Sequence, residues 1–146
     1  MPGYLFRVLE NRANSLFQVA IAGRNLTTRQ FGVLFSLARH GAMTQTELAE
    51  KTASDKSTLG EMVVRMKQRG LLTRVRGTDR RSFMIALTDE GRALVTDIAP
   101  VVVKVQEQLM LALPEEYRLI FLKCLKLLAA HNFEPDDASS VNGPAA

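Results

Sequence analysis

The sequence predicts a mainly α-helical fold with one small β-hairpin. Apolar residues recur at helical spacing in six separate segments of the 146-residue chain. Only two short runs, 72–76 and 83–87, have the composition of strands, and a polar tip separates them. A chain of this length, 47% of it hydrophobic, can bury one core of ordinary size.

The first two predicted helices lie in the first 40 residues. The first runs from Tyr4 to about Ala22, and Gly23 ends it. Thr27, followed by Gln30, forms the capping-box pattern that opens the second helix. That helix is expected to end near residue 39, before a glycine at position 41.

The next two predicted helices are short and closely spaced, as in a helix-turn-helix. Thr44 and Glu47 form another capping box, and this third helix is expected to end near residue 52. Ser54 or Asp55 can cap the fourth helix, which runs to residue 69. Gly70 suits the left-handed position after its end. The apolar inner face of the fourth helix comprises Leu59, Met62, Val63 and Met66.

Two longer helices follow the hairpin. Thr88 caps the fifth, which extends to residue 113, and Pro100 is expected to kink it without ending it. Pro114 suits the first position of the sixth helix, which ends near His131. The predicted organisation is an N-terminal helix of a dimerisation region (1–26), a winged helix-turn-helix DNA-binding module (27–92), C-terminal dimerisation helices (93–132) and a disordered tail (133–146).

Positive charge is concentrated in the helix-turn-helix and hairpin. Residues 51–81 contain nine basic and three acidic side chains, a net charge of +6, whereas the whole chain carries +4. A charge run alone would favour a solvated surface. Its coincidence with the helix-turn-helix pattern instead predicts binding to double-stranded DNA, because such cations neutralise phosphates.

The predicted DNA contacts come from three places. They are the start of the third helix, the N-terminal half of the fourth helix, which is expected to meet base edges in the major groove, and the hairpin, whose tip suits the minor groove. The predicted DNA-binding residues are Thr44, Gln45, Lys56, Ser57, Thr58, Gly60, Glu61, Arg65, Arg74, Arg76, Asp79, Arg80 and Arg81.

Several of these segments resemble the MarR family of bacterial transcriptional regulators, over about residues 26–131. The similar segments are 27–34, 37–41, 44–49, 69–72 and, most specifically, 79–82 followed by 87–88 and 90–91. The resemblance implies a triangular, mostly helical homodimer, usually a repressor released from DNA by a small molecule. It also implies that Arg81 enters the minor groove and that Asp79 orients it. The alternative is a hairpin ion pair without a role in DNA binding. Relatives commonly carry basic or hydroxyl residues where this chain has Gly60 and Glu61, so the operator sequence is left open.

The resemblance also implies a cleft for an aromatic or phenolic effector, and residues 2–7 resemble members that sense aromatic compounds. Arg12 follows apolar residues on one helical face, so it could pair with the carboxylate of an aromatic acid. Phe17, Phe31 and His40 could line the same cleft. The alternatives are that Arg12 bonds a carboxylate across the dimer and that His40 caps the second helix.

Other functions are weakly supported by the sequence. No glycine loop for phosphates, metal-ligand pair or nucleophile motif is present, so we expect no catalytic residues, no metal and no cofactor. The single cysteine, Cys124, could sense oxidants, but its setting favours a buried structural thiol. No secretory signal or membrane span is predicted, and the expected location is the cytoplasm, on the nucleoid. The alternative function is a weakly specific architectural DNA-binding protein of the nucleoid without ligand control.

Overall fold

A computed structural model describes residues 1–79 and 82–133 of the chain. The predicted fold class is confirmed, with six helices and a single two-stranded hairpin in the described part. Its elements are α1 (Pro2–Ala20), α2 (Thr28–His40), α3 (Gln45–Lys51), α4 (Lys56–Gln68), β1 (Leu72–Arg76), β2 (Phe83–Leu87), α5 (Asp89–Leu111) and α6 (Glu115–Ala130). The chain divides into two compact units, one from Met1 to Glu107 and one from Gln108 onward.

Several helix boundaries differ from the sequence prediction by one or two residues, among them the end of α5, at Leu111 and not at residue 113. α1 begins at Pro2, because proline needs no hydrogen-bond acceptor in a first turn, and it ends two residues before the predicted limit. Pro114 takes the N-cap position of α6, with extended backbone, and not the first helical position. Pro100 lies inside a continuous α5, so it does not end that helix, as predicted.

The core of the first unit forms where α2, α3 and α4 pack against the base of the hairpin and α5. The largest fully buried side chains are apolar, and they come from α2, α3, α4, α5 and the turn after α1. Arg24, in that turn, forms an ion pair with Asp97 of α5, with 2.8 Å between Nε and Oδ2. The Gln18 side-chain amide donates to the Thr28 hydroxyl at 3.0 Å, which joins α1 to α2. These two contacts fasten α1 and the turn after it to α2 and α5.

The end of α4 is a Schellman motif that directs the chain into the hairpin. Gly70 has φ 73°, in the left-handed region where a glycine avoids steric strain. Its N–H donates to the Lys67 carbonyl at 2.9 Å, and the Leu71 N–H donates to the Met66 carbonyl at 3.0 Å. The sequence prediction for Gly70 is confirmed.

The hairpin is antiparallel, and both strands have the predicted bounds. Leu72 pairs with Leu87 at the base and Arg76 with Phe83 near the tip. Met43, in the link between α2 and α3, exchanges two backbone hydrogen bonds with Ile85 of β2, at 3.1 and 2.8 Å. This third partner holds the base of the hairpin against the helix-turn-helix.

The second unit contains the end of α5 and α6. Arg118 Nε donates to the carbonyls of Met110 and Leu113, at 3.1 and 3.0 Å, and so closes the turn between the helices. No side chain of α6 is buried, and large apolar residues such as Leu119 and Leu127 are exposed. α1 likewise exposes much of its apolar surface in the first unit. These are faces that a second copy of the chain could cover.

The prediction that Cys124 is a buried thiol is wrong for the isolated chain, because the side chain is exposed. The prediction relied on the neighbouring leucines at positions 122 and 125. Residues two before and one after a position project about 200° and 100° away from it around a helix, so they do not define its face. Apart from Phe133, which follows α6, the predicted disordered tail lies outside the described residues. None of the helices in the described ranges combines the length and apolar character of a membrane span.

Candidate DNA-binding surface

Side-chain caps fix the start of both helices of the helix-turn-helix. The Thr44 hydroxyl accepts from the Glu47 N–H at 3.2 Å, and the Glu47 carboxylate accepts from the Thr44 N–H at 2.8 Å. Of the two candidate caps for α4, Asp55 is the one used, and it accepts from the Thr58 N–H at 2.8 Å and from its hydroxyl at 2.7 Å. These two bonds, the backbone bond first, lower the pKa of the Asp55 carboxyl. The predicted DNA residues Thr44 and Thr58 therefore have structural roles, and their contacts with DNA remain predictions.

α4 has a buried face and an outward face. Leu59, Val63 and Met66 are buried, and at 100° per residue the opposite side of the helix carries Ser57, Glu61, Val64 and Gln68. All four outward residues are exposed, as is Lys56 in the first turn. Sequence reasoning missed Val64 and Gln68, although they follow Ser57 by seven and eleven residues, the spacing of one helical face. An apolar side chain that is 54% exposed at the centre of this face can contact a thymine methyl group.

Gly60 creates room for a side chain of α3. A Cβ atom placed on Gly60 would lie 3.1 Å from Nε2 of Gln45. In the structure the open side of Gly60 is occupied by the Gln45 amide, so these two predicted DNA residues are neighbours.

The hairpin presents arginines beside the helix-turn-helix. Arg74 and Arg76 are exposed on β1, and the Arg74 guanidinium lies 6.0 Å from the centre of the Phe83 ring. At the tip, the Ser82 N–H and hydroxyl both donate to the Asp79 carbonyl at 3.1 Å. Arg80 and Arg81 lie outside the described residues, so the pairing of Asp79 with Arg81 stays a prediction.

A cleft of about 410 Å³ lies among α1, α2 and α4. We call it the α1–α2–α4 cleft. Its cationic side chains are Arg29 and Arg65, and Glu61 also lines it. Sequence reasoning assigned Arg65 to DNA and missed Arg29. A signal for Arg29 was present, because a cation in the first turn of a helix is opposed by the helix dipole and benefits from an anion nearby.

The structure separates the predicted effector residues. Phe17 and Phe31 are each only 6% exposed, and their ring centres lie 5.2 Å apart in the core. Arg12 is exposed on α1, where it lines a shallow depression with Leu16. His40 is the exposed last residue of α2, and the depression it lines includes Glu47. The two rings are therefore packed against each other, and an effector would reach them only if this part of the core opened.

The part of the chain that the structure describes contains no group of three or more His, Cys, Asp or Glu side chains arranged to hold a metal ion. The chemistry of this surface is instead that of exposed cations, amides and hydroxyls around α4. Such groups donate hydrogen bonds to the phosphates and base edges of nucleic acids.

Comparison with known proteins places this arrangement in a family. Residues 26–83 match the model of the MarR family. The chain is 33% identical to the transcriptional repressor NicR of Pseudomonas putida over 125 residues, which cover 85% of this chain and 79% of NicR.

Solved structures are similar in fold. BpsR of Bordetella bronchiseptica, whose DNA binding is regulated by 6-hydroxynicotinic acid, has a TM-score of 0.83 and 29% identity, covering 90% of this chain and 95% of BpsR. The transcriptional repressor CouR bound to a 23-mer DNA duplex has a TM-score of 0.80 and 30% identity, covering 88% of this chain and 92% of CouR.

Proposed function

This chain belongs to the MarR family, and on that premise we propose that it is a homodimeric repressor that an aromatic acid releases from a palindromic operator. The proposal rests on the observation that the outward face of α4 and the arginines of β1 beside it are both exposed. A two-fold dimer places two copies of this surface about one DNA turn, roughly 34 Å, apart. The exposed apolar surface of α1 and α6 supports the dimer.

The α1–α2–α4 cleft is the proposed effector site. Two guanidinium groups, those of Arg29 and Arg65, can pair with a carboxylate by bidentate hydrogen bonds. Arg65 and Thr58 belong to α4, so an acid held there competes with DNA for the same helix. BpsR, whose DNA binding responds to 6-hydroxynicotinic acid, supports an aromatic acid as the ligand class. The second candidate site is the depression on α1 that Arg12 lines, since Phe17 and Phe31 are buried and His40 lines a different depression.

Neither a catalytic activity nor a cofactor is part of this proposal. A regulator of this kind acts on the chromosome, so we place it on the nucleoid in the cytoplasm. The proposed domains are those predicted from the sequence, with residues 27–92 as the DNA-binding module.

The first test is selection of binding sites from a random duplex library at physiological salt. We expect an inverted repeat with half-sites one turn apart, bound about 10³-fold or more tightly than random duplex. 6-Hydroxynicotinic acid and benzoic acid are then titrated against the complex, and release should follow. Binding without a consensus would instead support the architectural alternative and contradict the proposal.

Three arginine variants locate the effector site. Arg29→Gln should raise the acid concentration needed for release about tenfold, because one charged hydrogen bond is lost. Arg39→Gln, an exposed arginine of the same helix, is the control and should release like the wild type. If Arg12→Ala impairs release and Arg29→Gln does not, the effector binds at the second candidate site.

A further inference from the structure

We propose that a groove between α4 and β1 binds a phosphate of the DNA backbone, through Lys67 and Arg74. The inference rests on the DNA-binding function above and adds a site to it. The groove measures about 310 Å³, and its lining includes Gln45, Gly60, Lys67, Gln68 and Arg74. We call it the α4–β1 groove.

The charges of the groove fit a phosphodiester. Its lining joins two cations to the amides of Gln45 and Gln68, and it contains no carboxylate. Within the described ranges, neither Lys67 nor Arg74 forms an ion pair. Two cations that share a small concave site repel each other, and a bound anion removes that cost. Cations and amide N–H groups are the donors that commonly hold DNA phosphates.

The fold aims both cations at this groove. Lys67 lies on the side of α4 next to its exposed face and is half-buried, so its stem is packed while the ammonium can reach solvent. Arg74 follows the buried Leu72 by two residues and therefore shares the strand face that packs towards the core. The nearby ring of Phe83 supports its guanidinium.

The location also fits a DNA backbone. The outward face of α4, with Ser57, Glu61 and Val64, points where a major groove would lie. A helix in the major groove has a phosphate backbone on each side. The α4–β1 groove flanks the outward face on the side of Gly60 and the hairpin. The Gln45 amide, held over Gly60, adds a donor at the same edge.

The test compares Lys67→Gln and Arg74→Gln with the wild type by fluorescence anisotropy, using the selected operator and a random duplex over a range of salt. The slope of log K against log salt is negative, and each change should reduce its magnitude by about 0.9, the value for one contact between a cation and a phosphate. Affinity should fall by a similar factor for both duplexes, because phosphates carry no sequence information. Lys104→Gln makes the same charge change on an exposed part of α5 and should leave the slope unchanged. Lys67→Arg should retain the wild-type slope.

Single methylphosphonate substitutions in the operator identify the phosphate. One neutral position should weaken the wild type but not a double variant with Lys67→Gln and Arg74→Gln, in which both partners of that phosphate are already lost. Unchanged slopes in both variants, with their wild-type thermal unfolding confirmed, would overturn the site. A loss of affinity for the operator alone would mean that the groove contacts bases. Wild-type DNA binding combined with a lost response to acid would mean that it binds the effector. If the wild type binds neither duplex, the proposed function itself fails.

Discussion

Replacing Gly91 with alanine should disrupt the junction between α5 and the end of α4. A Cβ atom on Gly91 would lie 2.2 Å from the Leu71 carbonyl oxygen and 3.2 Å from Cδ2 of Leu87. Favourable contacts between heavy atoms lie near 3.5 Å, so one of the two segments must move by about 1 Å. The obstacle is backbone, which cannot rotate away as a flexible side chain would.

The movement would strain three hydrogen bonds that meet at Thr88. Its N–H donates to the Leu71 carbonyl at 3.2 Å, its hydroxyl donates to the Gly70 carbonyl, and the hydroxyl accepts from the Gly91 N–H at 3.0 Å. Overpacking costs about 1–3 kcal/mol, and weakening of these bonds adds about 1 kcal/mol or more. The better helix propensity of alanine returns up to about 1 kcal/mol. We therefore expect Gly91→Ala to lower the free energy of unfolding by about 1–4 kcal/mol.

The matched control is Gly32→Ala in α2. No heavy atom outside its own turn lies within 4 Å of the added Cβ, so the change should stabilise the protein by about 0.5–1 kcal/mol. Urea unfolding of both variants at one protein concentration measures the difference, because the stability of a dimer depends on concentration. Equal stability of Gly91→Ala and Gly32→Ala would show that α5 adjusts freely, and the steric argument would fail.

Three further substitutions test the helix-turn-helix. Thr44→Ala removes a capping box and should lower the free energy of unfolding in urea by about 1 kcal/mol. An unchanged free energy of unfolding would mean that the cap does not stabilise the helix. Ala53, in the turn before α4, has φ 49°, so Ala53→Gly should relieve strain and stabilise by about 0.5–1 kcal/mol, and destabilisation would refute this. Asp55→Asn keeps the cap but removes the charge whose pKa is lowered on folding. The stability advantage of the wild type should be present at neutral pH and lost as the pH falls through the folded-state pKa of Asp55, and a difference independent of pH would contradict the assignment.

The local elements were predictable because their causes are local in sequence. Both capping boxes form with the predicted partners, and both strands have the predicted bounds. The position of Gly70 follows from a short-range motif, in which two backbone bonds close the end of one helix. In the caps and the turn at Gly70 the residues that decide the structure lie within about five positions of one another, and the paired residues of the hairpin lie at most 15 positions apart.

Features that need packing between elements were not predictable. The bonds between Met43 and Ile85 join residues 42 positions apart, and neither residue has a distinctive pattern around it. Gln45 and Gly60 are neighbours only because of the way α3 packs against α4. Phe17 and Phe31 showed the expected apolar spacing, but the sequence could not distinguish rings that line a cleft from rings that close a core.

α4 lies between two depressions that both contain cations, and this arrangement bears on how an effector would act. The α1–α2–α4 cleft contains Arg65, and the α4–β1 groove contains Lys67. On the two proposals together, an acid in the cleft neutralises one guanidinium and disturbs the alignment of α4, while the groove keeps its phosphate contact. Contacts with base edges require that alignment, whereas phosphate contacts tolerate its loss. The acid should therefore weaken operator binding by a much larger factor than binding to random duplex, as measured by anisotropy at one salt concentration. An equal loss of affinity for both duplexes would show that the effector acts only by neutralising positive charge and not by disturbing the alignment of α4.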